Sequence, residues 1–121
     1  MRNPNLRQYL DFKEGVDPSD LMFLDPALWT ILGFVLGYYA KWGKKLVITS
    51  LTEGQHKSLT HCQGRGVDIR IWNIPRNLLE EMVDAINARF AEKFGTGPNG
   101  AKPLVAILEK DHVHLQVKVL S

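Results

Sequence analysis

The chain has 121 residues, of which 45% are hydrophobic and 23% are charged, a composition typical of a single globular domain. A chain of this length can bury a hydrophobic core without disulfide bonds, and its single cysteine excludes an internal disulfide. The 15 Lys and Arg residues are scattered among 13 acidic residues, for a net charge of +2. This lack of a basic patch argues against a nucleic-acid-binding protein.

The first 20 residues are polar, and we predict that they form an irregular arm of one domain spanning residues 1–121. They lack the apolar stretch and the cleavage site of a signal peptide. Residues 27–40 are the most apolar run, but this run is shorter than the roughly 20 residues that a membrane-spanning helix needs. We therefore expect a protein that is made in the cytoplasm and has no membrane span.

Two long helices are predicted from apolar side chains at helical spacing. Asp25 can cap the first helix, and Pro26 suits its first position because the amide hydrogen that proline lacks would be unpaired there. This helix is expected to continue to about Trp42 and to end at Gly43. The second helix is predicted over residues 75–94, with proline again at its start.

Four segments have the pattern of β-strands. Residues 45–50 (KLVITS) are rich in β-branched side chains, and residues 67–72 (VDIRIW) alternate apolar with polar side chains. Two further strands are predicted over residues 104–108 and 112–119, joined by a short turn. The order of elements predicts an α+β domain with a small antiparallel sheet and helices packed on one side.

Histidines and a carboxylate are spaced as in a metal site. His112 and His114 lie two residues apart on a predicted strand, so both face the same side of the sheet. His61 and Asp68 flank a segment whose two glycines allow a tight backbone path. Each pair alone is also typical of ordinary surface or capping residues. Together, two imidazoles and one carboxylate with an open fourth position make a common catalytic zinc set.

Residues 58–68 (SLTHCQGRGVD), followed by 111–114 (DHVH), resemble a family of zinc peptidases. This family comprises D-alanyl-D-alanine carboxypeptidases, dipeptidases and phage L-alanyl-D-glutamate endolysins, and its fold is shared with the hedgehog signalling domain. The family spacing of His, Gly and Asp is matched by His61, Gly64 and Asp68. The resemblance implies a hedgehog-like fold and one zinc ion bound by His61, Asp68 and His114.

The resemblance also implies roles for the neighbours of the last ligand. Asp111, three residues before His114, takes the place of the family's acid/base carboxylate. His112 would polarise the scissile carbonyl group or steady the water. The acid/base residue is more often glutamate in the family, so the aspartate here has a shorter reach.

Three residues are candidates for substrate binding. The family serine two residues before the first ligand is replaced by Leu59, and the adjacent Thr60 could supply the hydroxyl group. Family members also carry an arginine after the strand that ends here at Ser50, where it binds a substrate carboxylate. That arginine is absent from residues 51–55, and Arg65 or Arg70 could replace it.

We therefore expect a zinc metallopeptidase, a carboxypeptidase or endopeptidase, that hydrolyses an amide bond in bacterial peptidoglycan peptide. Metal-activated water would attack the amide, with Asp111 as acid/base. A small protein without a signal peptide suits a phage endolysin that acts on the cell wall after release or as part of a phage particle.

One alternative is a non-catalytic zinc-containing binding or structural module of the same fold, which the absent arginine favours. Another is a metal-dependent hydrolase of a different small amide or ester. The oligomeric state is left open.

Overall fold

The computed structural model describes residues 10–18, 24–51, 66–95 and 103–118 of the chain. These residues form an α+β structure, as the sequence predicts. In chain order its elements are β1 (Leu10–Phe12), α1 (Pro26–Lys41), β2 (Leu46–Ser50), β3 (Gly66–Arg70), α2 (Arg76–Phe94), β4 (Ala106–Leu108) and β5 (His112–Gln116). Within these described ranges, no helix is both long and apolar enough to cross a membrane.

The five strands form one sheet in the order β1-β2-β3-β5-β4. The four predicted strands pair antiparallel, whereas β1 pairs parallel with β2, placing Leu10 opposite Leu46 and Phe12 opposite Ile48. The sheet is therefore mixed, and Leu10–Phe12 differ from the predicted irregular arm. A strand of three residues is too short for its alternation to be recognised. Its position depends on backbone pairing with β2 and on packing of its two apolar side chains against the core.

The ends of α1 follow from local chemistry, as predicted. The Asp25 carboxylate accepts a hydrogen bond from the Ala27 backbone amide at 2.9 Å, and Pro26 is the first helical residue. Trp42 caps the other end, and Gly43 follows with a φ of 71°, a backbone conformation that side chains disfavour. The predicted boundaries of α1 are therefore confirmed to within one residue.

The hydrophobic core lies between the two helices and one face of the sheet. Along β3 and β5, buried apolar residues alternate with residues that are partly exposed. The buried strand residues are Leu46, Ile48, Val67, Ile69, Val113 and Leu115, and they pack with residues of the helices such as Leu28, Ile31, Val35, Leu79, Met82 and Ile86. The opposite face of the sheet is therefore the one that carries the polar side chains of β3 and β5.

A hydrogen bond from α1 fixes the end of β3 on the core side. The Tyr39 side chain is 1% exposed, and its hydroxyl group donates to the Arg70 backbone carbonyl at 2.8 Å. Burial raises the pKa of the Tyr39 hydroxyl well above its ordinary value of 10, so this group remains a neutral donor at physiological pH. The strand that carries Asp68 and Arg70 is thereby joined to the helix layer.

Removing this hydroxyl group should therefore destabilise the fold. Tyr39→Phe leaves the Arg70 carbonyl without this donor, and we expect the free energy of unfolding to fall by about 1–3 kcal/mol. Urea denaturation followed by circular dichroism measures the change. Tyr38→Phe is the matched control, because the Tyr38 hydroxyl donates no hydrogen bond to another described residue. Equal losses in the two variants would show that the Tyr39 hydrogen bond has no special role.

Candidate functional site

Asp68 and His114 are 46 residues apart in the sequence and lie directly opposite each other on β3 and β5. Oδ1 of Asp68 is 2.7 Å from Nδ1 of His114. The two side chains are 21% and 16% exposed, so both are reached by solvent from the polar face of the sheet. Two of the three predicted metal ligands are therefore brought into contact by the register of these strands.

The second ring nitrogen of His114 faces another oxygen. Nε2 lies 3.1 Å from Oε1 of Gln116, and the Gln116 amide nitrogen lies 3.5 Å from the Leu104 carbonyl oxygen, which favours this orientation of the amide. A neutral imidazole has one N–H group, so it can donate to only one of the two oxygens. If Nε2–H donates to Gln116, the lone pair of Nδ1 faces the Asp68 carboxylate, and a proton or a metal ion is needed between the two atoms.

The chemistry of this pair fits zinc. Zinc is bound by imidazole nitrogen and carboxylate oxygen at about 2.0–2.1 Å, so two ligand atoms on a tetrahedral ion are about 3.3 Å apart. The observed separation of 2.7 Å is held by a hydrogen bond, and a small widening would admit the ion. Histidine ligands usually donate their other N–H to an oxygen acceptor, the place that Gln116 takes here.

The third predicted ligand, His61, lies outside the described residues, as do Thr60 and Arg65. Among residues 10–18, 24–51, 66–95 and 103–118, no group of three His, Cys, Asp or Glu side chains is arranged to hold a metal ion. The described part of the chain therefore presents two of the three predicted ligands and leaves the complete set a prediction.

His112 connects Asp111 with Asp68. Its Nδ1 is 2.7 Å from Oδ1 of Asp111, and its Nε2 is 3.6 Å from Oδ1 of Asp68. Asp111 lies in the turn between β4 and β5 and is 84% exposed. The hydrogen bond from His112 lowers the pKa of the Asp111 carboxyl group below its ordinary value of 3.8, so this group is ionised at neutral pH and can accept a proton. The imidazole of His112 therefore lies between the predicted acid/base residue, Asp111, and the predicted ligand carboxylate of Asp68.

These residues line a cleft of about 270 Å³ on the polar face of the sheet. Its walls are formed by Lys13, Thr49, Ser50, Asp68, Arg70, Trp72, Asp111 and His112. Thr49 and Ser50 are consecutive, and plain alternation would send them to opposite faces. The pairing of β2 with β3 shifts register between Ile48 and Ser50, and such an irregularity re-aims side chains.

Arg70 lies against an exposed aromatic ring at the edge of this cleft. Its guanidinium carbon is 3.6 Å from the centroid of the Trp72 ring, and Trp72 is 64% exposed. A cation stacked on an aromatic face is attracted by the ring and keeps its N–H edges available for other partners. Arg70, predicted from the sequence as a substrate-binding residue, therefore lies in the same cleft as Asp68 and Asp111.

Sequence reasoning missed two residues of this region. Gln116 continues the spacing of His112 and His114 on β5, so strand alternation alone could have placed it on the same face. Lys13 follows β1, the strand that the sequence did not reveal, and no local signal marks it.

Comparisons of this chain with protein-family models, with curated proteins and with solved structures find no match. The resemblance to the zinc peptidases therefore remains a hypothesis. It depends on two sequence segments, and residues 66–68 and 111–114 of them lie within the described structure. Within that part, Asp68 and His114 are in contact, and His112 and Asp111 lie beside them.

The contact of Gln116 with His114 leads to a prediction about zinc affinity. If Nδ1 of His114 binds zinc, as the motif predicts, Gln116→Leu removes the oxygen that faces Nε2, and the dissociation constant for zinc should rise about 10–100-fold. Gln116→Glu keeps an acceptor oxygen and should retain most of the affinity. Competition of the purified protein with a chromogenic zinc chelator measures both values. Unchanged affinity in the leucine variant would argue against Nδ1 of His114 as a zinc ligand.

Proposed function

We propose that this protein is a zinc-dependent peptidase that hydrolyses an amide bond in bacterial peptidoglycan peptide. The observation that carries the proposal is the convergence of Asp68 and His114 at 2.7 Å on the open face of the sheet, at the edge of a cleft that also contains Asp111. Their residue types and positions are those that the family motif assigns to zinc binding and to acid/base catalysis. A purely structural pair would need neither the cleft nor the second carboxylate.

His61, Asp68 and His114 would hold the single zinc ion. When bound, zinc supplies a Lewis acid and lowers the pKa of water to about 7. The Asp68 carboxylate would contribute negative charge to the site, and the Gln116 amide oxygen, 3.1 Å from Nε2 of His114, would accept a hydrogen bond from this nitrogen when Nδ1 binds the ion.

Asp111 would act as general base and then as general acid. Its carboxylate accepts a proton from water as the oxygen–carbon bond forms, and it returns a proton to the amine as the carbon–nitrogen bond breaks. His112 contacts this carboxylate and lines the cleft, where it would polarise the scissile carbonyl group or steady the water. Thr60, Arg65 and Arg70 would bind the substrate, with Arg70 positioned by its stacking on Trp72.

This activity is directed at the cell wall, reached after release from a host cell or as part of a phage particle. The bond cleaved would be either the last peptide bond next to a D-amino acid or an internal L-alanyl-D-glutamate link. Both bonds require the same hydrolytic chemistry, because in each case an amide is split into a carboxylate and an amine.

One observation favours the alternative of a non-catalytic zinc module. The Asp111 carboxylate is 84% exposed and hydrogen-bonded to its own neighbour in sequence. A base must come within hydrogen-bonding distance of the water that it activates, often only once substrate is bound. An assay of hydrolysis together with zinc content separates the two functions.

The decisive test combines zinc-loaded protein with purified peptidoglycan. We expect wild-type protein to release new amino groups, identified by mass spectrometry of the products, and a chelator to stop the release until zinc is restored. Asp111→Ala should lower turnover about 10²–10⁴-fold while keeping stoichiometric zinc, because it removes the acid/base but no ligand. Glu109→Ala, in the same turn but outside the cleft, is the matched control and should remain active.

The other outcomes are equally informative. Zinc binding without any release of amino groups from several kinds of peptidoglycan would establish the non-catalytic module. A protein that binds no zinc at neutral pH would contradict both functions. Hydrolysis that survives Asp111→Ala would assign the acid/base role to another residue.

A further inference from the structure

Asn87 on α2 binds the backbone of the chain where it enters β4. Its side-chain oxygen accepts hydrogen bonds from the Val105 amide at 2.8 Å and from the Ala106 amide at 2.9 Å. Its side-chain nitrogen donates to the Ala106 carbonyl group at 2.9 Å. Among the described strands, β4 lies at one end of the sheet, so Asn87 supplies backbone hydrogen bonds that a further strand would otherwise make.

Two consecutive amides that donate to one oxygen require a bend in the chain. In a regular strand, successive residues face opposite directions, so the N–H groups of Val105 and Ala106 would point away from each other. The chain is instead bent at Val105, and its regular pairing with β5 begins at Ala106. Both residues are buried, so water has little access to these amides. Asn87 therefore fixes the bend from the helix layer.

The same bend directs two consecutive carbonyl groups toward Gln116 on β5. The Gln116 backbone amide donates to the Val105 carbonyl at 2.8 Å, and its side-chain nitrogen lies 3.5 Å from the Leu104 carbonyl oxygen. The other polar atom of this side chain, Oε1, lies 3.1 Å from Nε2 of His114. A continuous series of contacts therefore leads from Asn87 through the bend and Gln116 to a predicted zinc ligand.

We propose that Asn87 is a positioning residue of the zinc site, an inference that rests on the proposed function. By fixing the bend at Val105, Asn87 holds the Gln116 side chain against the His114 ring. The orientation of a ligand imidazole depends on the oxygen that faces its other ring nitrogen, so a shift of that oxygen weakens metal binding. Asn87 is not among the residues that line the cleft, so its effect reaches the zinc site through Gln116 and not through the substrate.

A double-mutant cycle on zinc affinity tests this assignment with the purified full-length protein. Asn87→Ala should raise the dissociation constant for zinc about 3–10-fold, a smaller effect than the loss of Gln116 itself. In protein that already carries Gln116→Leu, the same substitution should change the constant by no more than about 2-fold, because the group through which Asn87 acts is gone. Competition with a chromogenic zinc chelator measures the constants of all variants.

Stability is measured in parallel, because Asn87→Ala also removes hydrogen bonds from the fold. Urea denaturation should show the same destabilisation in the wild-type and Gln116→Leu backgrounds. Asn77→Ala is the matched control, since Asn77 is an exposed asparagine near the start of the same helix, and it should leave zinc affinity unchanged. If Asn87→Ala does not fold, Asn87→Ser, which shortens the side chain but keeps a polar group, takes its place in the cycle.

The outcomes separate this inference from the proposed function. An equal rise in the zinc dissociation constant with and without Gln116, or no rise in either background, would overturn the positioning role while leaving the peptidase intact. If the protein binds no zinc, the proposed function fails, and the positioning role is tested by NMR relaxation of the Gln116 side-chain amide in metal-free protein. Greater mobility of this amide in Asn87→Ala than in Asn77→Ala would still support the role, and equal mobility would overturn it.

Discussion

The register in which β3 pairs with β5 is the constraint on which the polar face depends. In this register Asp68 lies opposite His114 and Arg70 opposite His112, while Val67, Ile69, Val113 and Leu115 fill the core. Side chains alternate with a period of two, so a slip by one residue would exchange the two sets and bury the charged groups. Burial of an unpaired charge or polar group costs several kcal/mol. This penalty strongly favours the observed register over registers shifted by one residue.

The same register creates a continuous line of polar contacts across the sheet. It begins at Asp111, continues through His112 and Asp68 to His114, and ends at Gln116. Each imidazole in this line has an oxygen on both sides, so the position of every proton affects the next group. The proposed zinc binding and proton transfer would therefore be coupled through these contacts between adjacent side chains.

The sequence predicts the helices better than it predicts the sheet. Asp25, Pro26 and Gly43 act through neighbouring backbone atoms, so the limits of α1 can be read without knowledge of the fold. The strand β1 cannot be predicted in this way, because three residues are too few to show a strand pattern. Its position depends instead on pairing with β2, which is distant in the sequence. The three strands predicted after residue 66 are confirmed, although four of their six ends differ from the prediction by one to three residues.

The candidate site was only partly accessible to the same reasoning. Residue types and a two-residue spacing suggested that His112 and His114 share a face, and the family motif added Asp68. The contact of Asp68 with His114 depends on the register between β3 and β5, and the place of Lys13 in the cleft depends on the order of strands in the sheet. Neither can be read from a short segment of sequence. The pairing of distant strands therefore determines contacts of the site that the local sequence pattern does not predict.

The edge position of β1 has a consequence for the dynamics of the cleft. Among the described strands, this three-residue strand pairs with one neighbour, whereas β3 is flanked on both sides. Opening events that expose little apolar surface need less free energy than global unfolding, and they concentrate at such edges. Amide protons of β1 should accordingly exchange through local fluctuations, while those of β3 and β5 require disruption of the whole sheet. The wall of the cleft formed by Lys13 and the wall formed by Asp68 thus belong to parts of the chain with different local stability.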